Sequence, residues 1–340
     1  MRIYILTLSI FFAFLPCAGL SETQDRAPAP FSVSVNLVKV PISIFNEKGQ
    51  MITDLRREDM RVWEDQSLQQ IRSFGIDYMP VSVVMLLDTS TSGKKERNKI
   101  RDAAREFTRS LSPGDQVSLI TFDDQVRLLL DWTEDMNKVR KKLGQLQSGF
   151  RTALYDAMYL AADEQLKDIE GRKAIILLTD CLNNQSLVGF KEASLRIIQS
   201  QASLYVVSKT SLVRRDAKKE RRVIMLNDIY TKLFGEDENY IDQFFNKRET
   251  EMADLADKTG GRCFFPEDYD QIKDNYSEIA LEMKTKYFLT YVSNQDLPPD
   301  SFHEISIEYL KPFSKINYRK GYYYLPEKLQ QPEILRPSFN

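Results

Sequence analysis

Val81-Ser82-Val83-Val84-Met85-Leu86-Leu87-Asp88-Thr89-Ser90-Thr91-Ser92 decides how this chain is read. Its first seven residues form an apolar run of the kind that fills a strand buried on both faces of a parallel sheet. Asp88, Ser90 and Ser92 then alternate through the loop that leaves the strand's carboxyl end. In open α/β sheets, ligands bind at that end. One carboxylate and two hydroxyls offer hard oxygens, a donor set that suits Mg²⁺ or a similar divalent cation. Loops rich in Asp, Ser and Thr also satisfy their own backbone, so this stretch alone supports either reading.

Two more segments add to it. Gly149-Phe150-Arg151-Thr152-Ala153-Leu154-Tyr155-Asp156-Ala157 places a hydroxyl, Thr152, just ahead of an apolar helical pattern. Ala174-Ile175-Ile176-Leu177-Leu178-Thr179-Asp180 is a second apolar strand that ends in an acid. Together, Asp88-x-Ser90-x-Ser92, Thr152 and Asp180 resemble the metal-ion-dependent adhesion site of the von Willebrand factor type A family. The resemblance covers residues 80–285. It implies that the Ser and Thr hydroxyls bind the cation directly while the two Asp often act through water. It also implies that a sixth octahedral position accepts a carboxylate from a protein partner. Mg²⁺ is the cation implied, with Mn²⁺ or Ca²⁺ as alternatives. The family usually has Gly after the last Asp, whereas this chain has Cys181, which is expected to alter the loop's backbone or narrow access to the metal.

Around this centre the chain alternates strand and helix. Ile100, Ala103, Ala104, Phe107 and Leu111 recur at helical spacing. Residues 117–122 and 126–130 form strands joined by a tight turn, Asp123-Asp124-Gln125. The order predicts a doubly wound, mostly parallel sheet with helices on both faces and one antiparallel edge. Residues 209–248 are too long for an ordinary connection and read as a helical insertion. It is expected either to pack on its own domain or to form a partner-specific arm.

Both flanks read as β structure. Residues 31–45 alternate apolar and polar, and Met60 to Glu64 with Gln70 to Phe74 are expected to form a hairpin around Asp65-Gln66-Ser67. After a helix over 269–286, strands are expected at 287–292, 304–309 and 315–319, with 319–323 closing the series. Neither flank has enough strands to be stable alone, so both ends are expected to build one small all-β, sandwich-like module. The expected division is signal peptide 1–21, linker 22–30, N-terminal β segment 31–78, α/β domain 79–285, C-terminal β segment 286–326 and tail 327–340. This whole arrangement resembles exported bacterial proteins related to the same family.

Composition fits that picture. Of 340 residues, 42% are hydrophobic and 28% charged, as expected of a globular chain. Lys and Arg number 47 against 49 for Asp and Glu, so no global basic footprint points to nucleic acid. Arg2, the short apolar run from Ile3 to Leu15 and small residues near Ala18 to Ser21 read as a secretory signal. Export to the periplasm or beyond the cell is therefore expected. A lipid anchor at Cys17 is disfavoured because Pro16 stands where a small residue is needed. No later stretch is long enough to span a membrane. Cys181 and Cys263 are expected as unpaired thiols, too far apart to bond.

Catalytic patterns are missing. Thr91-Ser92-Gly93-Lys94-Lys95 departs from a phosphate-binding loop because Asp88 stands at the first Gly position. The chain has one histidine, His303, expected at the surface, and no nucleophile elbow. Asp156 is expected in a helix cap, on the surface or in the cation's outer shell. The Tyr322-Tyr323-Tyr324 stripe is expected to pack rather than bind sugar. The sequence thus predicts a non-enzymatic protein-binding module, the alternative being an envelope scaffold in which the metal is incidental.

Overall fold

The computed structural model describes residues 36–90, 94–220, 238–295 and 298–325. The expected signal peptide, linker, Cys17, Ser92 and tail lie outside these, as do residues 221–237 of the 209–248 segment.

The described residues begin in a β-sandwich. β1 (Leu37–Phe45), β2 (Met60–Glu64), β3 (Ser67–Gln69) and β4 (Ile71–Ile76) come from the N-terminal side, with a 3-10 turn at Arg57–Asp59 before β2. The expected hairpin is only half right. β2 pairs with the three residues of β3 alone, and β4 crosses to the opposite sheet. The chain changes sheets at Gln69–Ile71, so the apolar pattern of 70–74 belongs to another partner.

The α/β unit follows. β5 (Val81–Asp88) is buried along its whole length, then come α1 (Lys94–Ser110), β6 (Gln116–Phe122), β7 (Val126–Thr133) and α2 (Met136–Leu143). α3 (Leu154–Leu160) continues into a π turn, Ala161–Gln165, and β8 (Arg172–Thr179), α4 (Phe190–Gln199) and β9 (Ser203–Ser208) complete the centre. α5 (Thr210–Glu220), α6 (Glu238–Lys258), β10 (Arg262–Phe264) and α7 (Tyr269–Thr285) follow. α6 runs past residue 248, where Met252, Leu255 and Ala256 cover the sheet, and Leu212 of α5 joins the core on the other face, so part of the expected insertion belongs to the core.

The six strands lie in the order β10-β9-β8-β5-β6-β7. All pairings are parallel except β6–β7 at the edge. The pleat sends alternate residues of β5 to opposite faces. Val84 and Leu86 join a core with α3, α4 and α6, whereas Val83, Met85 and Leu87 join one with α1, α2 and α7. Two dry faces explain why the strand reads as a continuous apolar run.

β11 (Tyr287–Val292), β12 (Phe302–Tyr309), β13 (Lys315–Tyr318) and β14 (Gly321–Tyr323) return to the sandwich. One sheet has the order β13-β1-β11-β4 and the other β14-β12-β2-β3. Each holds strands from both ends of the chain, and their shared core includes Val40, Ile42, Val62, Leu289, Ile305 and Tyr322. His303 corrects an expectation. It is buried beneath the β2–β3 turn, hydrogen-bonded to Asp65 and Ser301, and not at the surface. Tyr322 is buried and Tyr323 half-buried, as packing residues.

Candidate metal centre

Asp88 ends the central strand between β6 and β8, where both neighbours exclude water, and only 1% of it is exposed. Its Oδ1 accepts hydrogen bonds from the Ser90 amide at 2.9 Å and the Ser90 hydroxyl at 2.6 Å. Its Oδ2 accepts from the Thr179 hydroxyl at 3.3 Å and the Asp180 amide at 3.4 Å. The carboxylate therefore links the β5 loop to the end of β8.

Thr152 is buried on the second loop. Its amide donates to Asn184 Oδ1 at 2.8 Å, and its carbonyl accepts from the amides of Asn184 and Gln185. That ties the second loop to the third, which follows Asp180. Ser90 forms a parallel bridge with Gly149, tying the first loop to the second. The three loops thus close a ring at one sheet edge. Gly149 is required there: a Cβ would stand 2.5 Å from Asp124 Oδ2 and 2.7 Å from Asp123 Cγ.

Asp123 and Asp124 turn the β6–β7 hairpin and also hold this ring. Asp124 accepts from the amides of Phe150 and Arg151. Asp123 accepts from the Thr89 hydroxyl and pairs with Arg127 at 2.7 Å. Asp156 is buried, and its carboxylate accepts from the amides of Leu187 and Val188. It clamps the third loop, a role different from the helix cap or surface position expected.

Cys181 keeps the backbone that Gly would supply. Its φ is +61°, in the left-handed region. The side chain turns into the core, where Sγ lies 3.5 Å from Ser208 Oγ. The expected distortion of the loop's backbone does not occur. Burial pushes the thiol's pKa up to about 12, so it is a poor nucleophile. Both Cys181 and Cys263 are unpaired, as expected.

Lys209 went unnoticed in the sequence. It follows β9, is 2% exposed, and brings Nζ to 3.9 Å from Asp88 Oδ2. A buried ammonium accordingly stands beside the Asp88 carboxylate. At about 4 Å and an effective dielectric near 20, one unit charge acts on another with roughly 4 kcal/mol. The ammonium stabilises Asp88 and repels an incoming cation by comparable amounts. The donor set of two carboxylates and the hydroxyls of Ser90 and Thr152 fits a hard divalent ion, with Lys209 as its competitor.

Fold and site together define an α/β domain with an acid-and-hydroxyl ring at the carboxyl edge of its sheet. This is a von Willebrand factor type A domain: residues 83–183 match the family model of that description. Among solved structures, proximal thread matrix protein 1 from the mussel byssus, in a form described with a zinc occupied MIDAS motif, is similar at 12% identity. That match covers 66% of this chain and 50% of the mussel chain, with a TM-score of 0.47. The BatB protein of Bacteroides thetaiotaomicron is 17% identical over 59% of this chain and 99% of its own, with a TM-score of 0.40. The vWF domain of the type V pili tip protein Mfa5 from Porphyromonas gingivalis is 22% identical over 32% of this chain and 40% of its own, with a TM-score of 0.29. This chain spans about half the length of the first mussel structures it matches. Comparison with curated proteins gave no match. Among the described residues, no helix is long and apolar enough to cross a membrane.

Proposed function

We propose that this protein binds a protein partner through a divalent cation, Mg²⁺ in the first instance, held by Asp88, Ser90, Ser92, Thr152 and Asp180. The ring of three mutually bonded loops carries this reading, because it gathers hard oxygens at one strand end. When bound, the cation supplies an electrophilic position for a partner's carboxylate. Asp88 and Asp180 supply the negative charge, and the hydroxyls supply neutral oxygens that leave the cation unsatisfied. Mg²⁺ keeps some of its waters readily, which leaves room for an exchangeable ligand.

The rim supports a protein as that ligand. Phe150, 83% exposed, and Leu187, 72% exposed, stand on the second and third loops. Large apolar side chains left in water beside a polar site mark a docking surface better than scattered ones do. The reading includes export of the mature chain. It also includes division into the β segments 31–78 and 286–326 around the 79–285 domain, with 209–248 as its helical insertion.

Calorimetry with Mg²⁺ and Mn²⁺ on wild type and Asp88→Ala tests the site. Binding is expected for wild type alone, and equal binding by both proteins refutes it. A second reading, an envelope scaffold in which metal is incidental, is favoured by Lys209, which already balances Asp88. Retention of every partner from native envelope extract in chelator supports the scaffold; release supports the cation.

A further inference from the structure

We infer that Glu64, Asp65 and His303 form a second cation site, in the β-sandwich and suited to Zn²⁺. One carboxylate oxygen from each acid and one ring nitrogen lie within 4.8 Å of one another. His303 Nδ1 is 2.7 Å from Asp65 Oδ2 and 3.9 Å from Glu64 Oε1. Ligands on a tetrahedral Zn²⁺ stand about 3.3 Å apart, given metal–ligand bonds of roughly 2.0–2.1 Å. The two observed separations bracket that value, so small side-chain adjustments seat the ion.

Charge argues for the cation. Glu64 is 0% exposed, and no lysine or arginine among the described residues forms an ion pair with it. Oε1 accepts from the Tyr322 hydroxyl at 2.6 Å; the buried Tyr291 hydroxyl also faces the carboxylate, but Oε2 accepts no hydrogen bond of ordinary geometry. A buried carboxylate with an orphan oxygen is costly unless positive charge is supplied.

Histidine chemistry points the same way. The Ser301 hydroxyl donates to the Pro298 carbonyl at 2.5 Å. It has one proton, so toward His303 Nε2, at 2.6 Å, it acts as acceptor and the ring donates. Nδ1 then presents a lone pair to the Asp65 carboxylate unless a second proton or a metal ion lies between them. A ligating histidine typically gives its other N–H to an oxygen, as Nε2 does here. Zn²⁺ takes imidazole and carboxylate ligands, and a water completes the set.

The frame is built to hold these groups. The Asp65 amide donates to the Glu304 carbonyl, and the Glu304 amide donates to Asp65 Oδ1 at 2.9 Å. Asp65 and Gln66 both have positive φ, +47° and +67°. Asp65 is the exposed member, which gives an ion a way in. The bound metal pins the β2–β3 turn to β12 and so couples the N-terminal strands to the C-terminal ones.

The inference is independent of the site at Asp88, and the experiment keeps them apart. The full-length Asp88→Ala protein is titrated with ZnCl₂ by calorimetry and with Co²⁺ by visible absorption. One equivalent of Zn²⁺, with the absorption of a tetrahedral Co²⁺ complex, is expected. His303→Asn, Asp65→Asn and Glu64→Gln in that background are expected to lose at least about tenfold in affinity. If a buried replacement fails to fold, Asp65→Asn carries the test, since its side chain lies at the surface. No Zn²⁺ bound by Asp88→Ala, or undiminished binding by folded Asp65→Asn, overturns the inference.

Discussion

Lys209 is where charge at single-residue scale has the largest consequence. It and Asp88 are both buried, so removing one strips the other of a charged neighbour, at a cost of up to about 3–5 kcal/mol. Lys209→Met is therefore expected to destabilise the metal-free protein by up to that much, measured by urea unfolding in chelator. The same change removes the cation's competitor, so Mg²⁺ is expected to bind at least about tenfold more tightly and to restore much of the lost stability. Unchanged Mg²⁺ affinity in Lys209→Met would count against an ion near Asp88. Cys181 offers a second test. An L-residue in the left-handed region costs roughly 1 kcal/mol, which Gly avoids. Cys181→Ala loses the buried sulfur and keeps the strain, whereas Cys181→Gly loses the sulfur and relieves it. Gly should thus be no less stable than Ala, reversing their usual order in regular structure. The loop positions of Asp88, Asp180 and Thr152 were legible because Asp88 ends β5, Asp180 follows β8 and Thr152 precedes α3. Lys209 was not, because only the strand order, with β9 beside β8, brings it under Asp88.

Between elements, buried acids grip the loops. Asp156 sits on α3 yet spends its carboxylate on the amides of Leu187 and Val188. Two bonds to a charged acceptor contribute about 1.5–3 kcal/mol each before the cost of burying the carboxylate is subtracted. Asp156→Ala should lower stability by about 2–3 kcal/mol in urea unfolding. Asp156→Asn, which keeps one acceptor, should recover roughly half of it. If Asp156→Ala were neutral, the third loop would hold its shape without this clamp. Periodicity identified α3 from Leu154, Met158 and Ala161, but it carries no information about which distant amides a helix acid reaches. The β2–β3 misreading has a related cause. Residues 70–74 have the apolar pattern of a strand, and pattern alone does not say which of two sheets receives it.

For the molecule as a whole, both chain ends were expected to share one module because neither had strands enough for itself. The interleaved order of the two sandwich sheets has that form. Burial also shapes its response to pH. Lys286 is enclosed, donating to Ser203, Tyr205 and the Gly260 carbonyl, and desolvation lowers its pKa from 10.5 to about 8. The unfolded chain then holds a proton that the folded chain has released, so stability rises with pH from about 8 toward 10.5. Cys181 acts oppositely. Its folded pKa of about 12 exceeds the ordinary 9.0, so the unfolded chain ionises first and stability falls as pH climbs above 9. Cys263 is raised in the same direction by burial, and buried Tyr205 and Tyr276 add their own losses above 10. Each group contributes at most about 1.4 kcal/mol per pH unit within its window. Between 8 and 9 Lys286 leads, with Lys315, also lowered by desolvation, acting in the same sense; above 9 the two thiols, joined above 10 by the tyrosines, outweigh these and Arg319, which desolvation lowers to about 10. Thermal unfolding should therefore show its highest midpoint near pH 9 and fall steeply beyond. Lys286→Met should flatten most of the rise below 9 while leaving the alkaline fall intact, and an undiminished rise in that variant would assign it to another group such as Lys315.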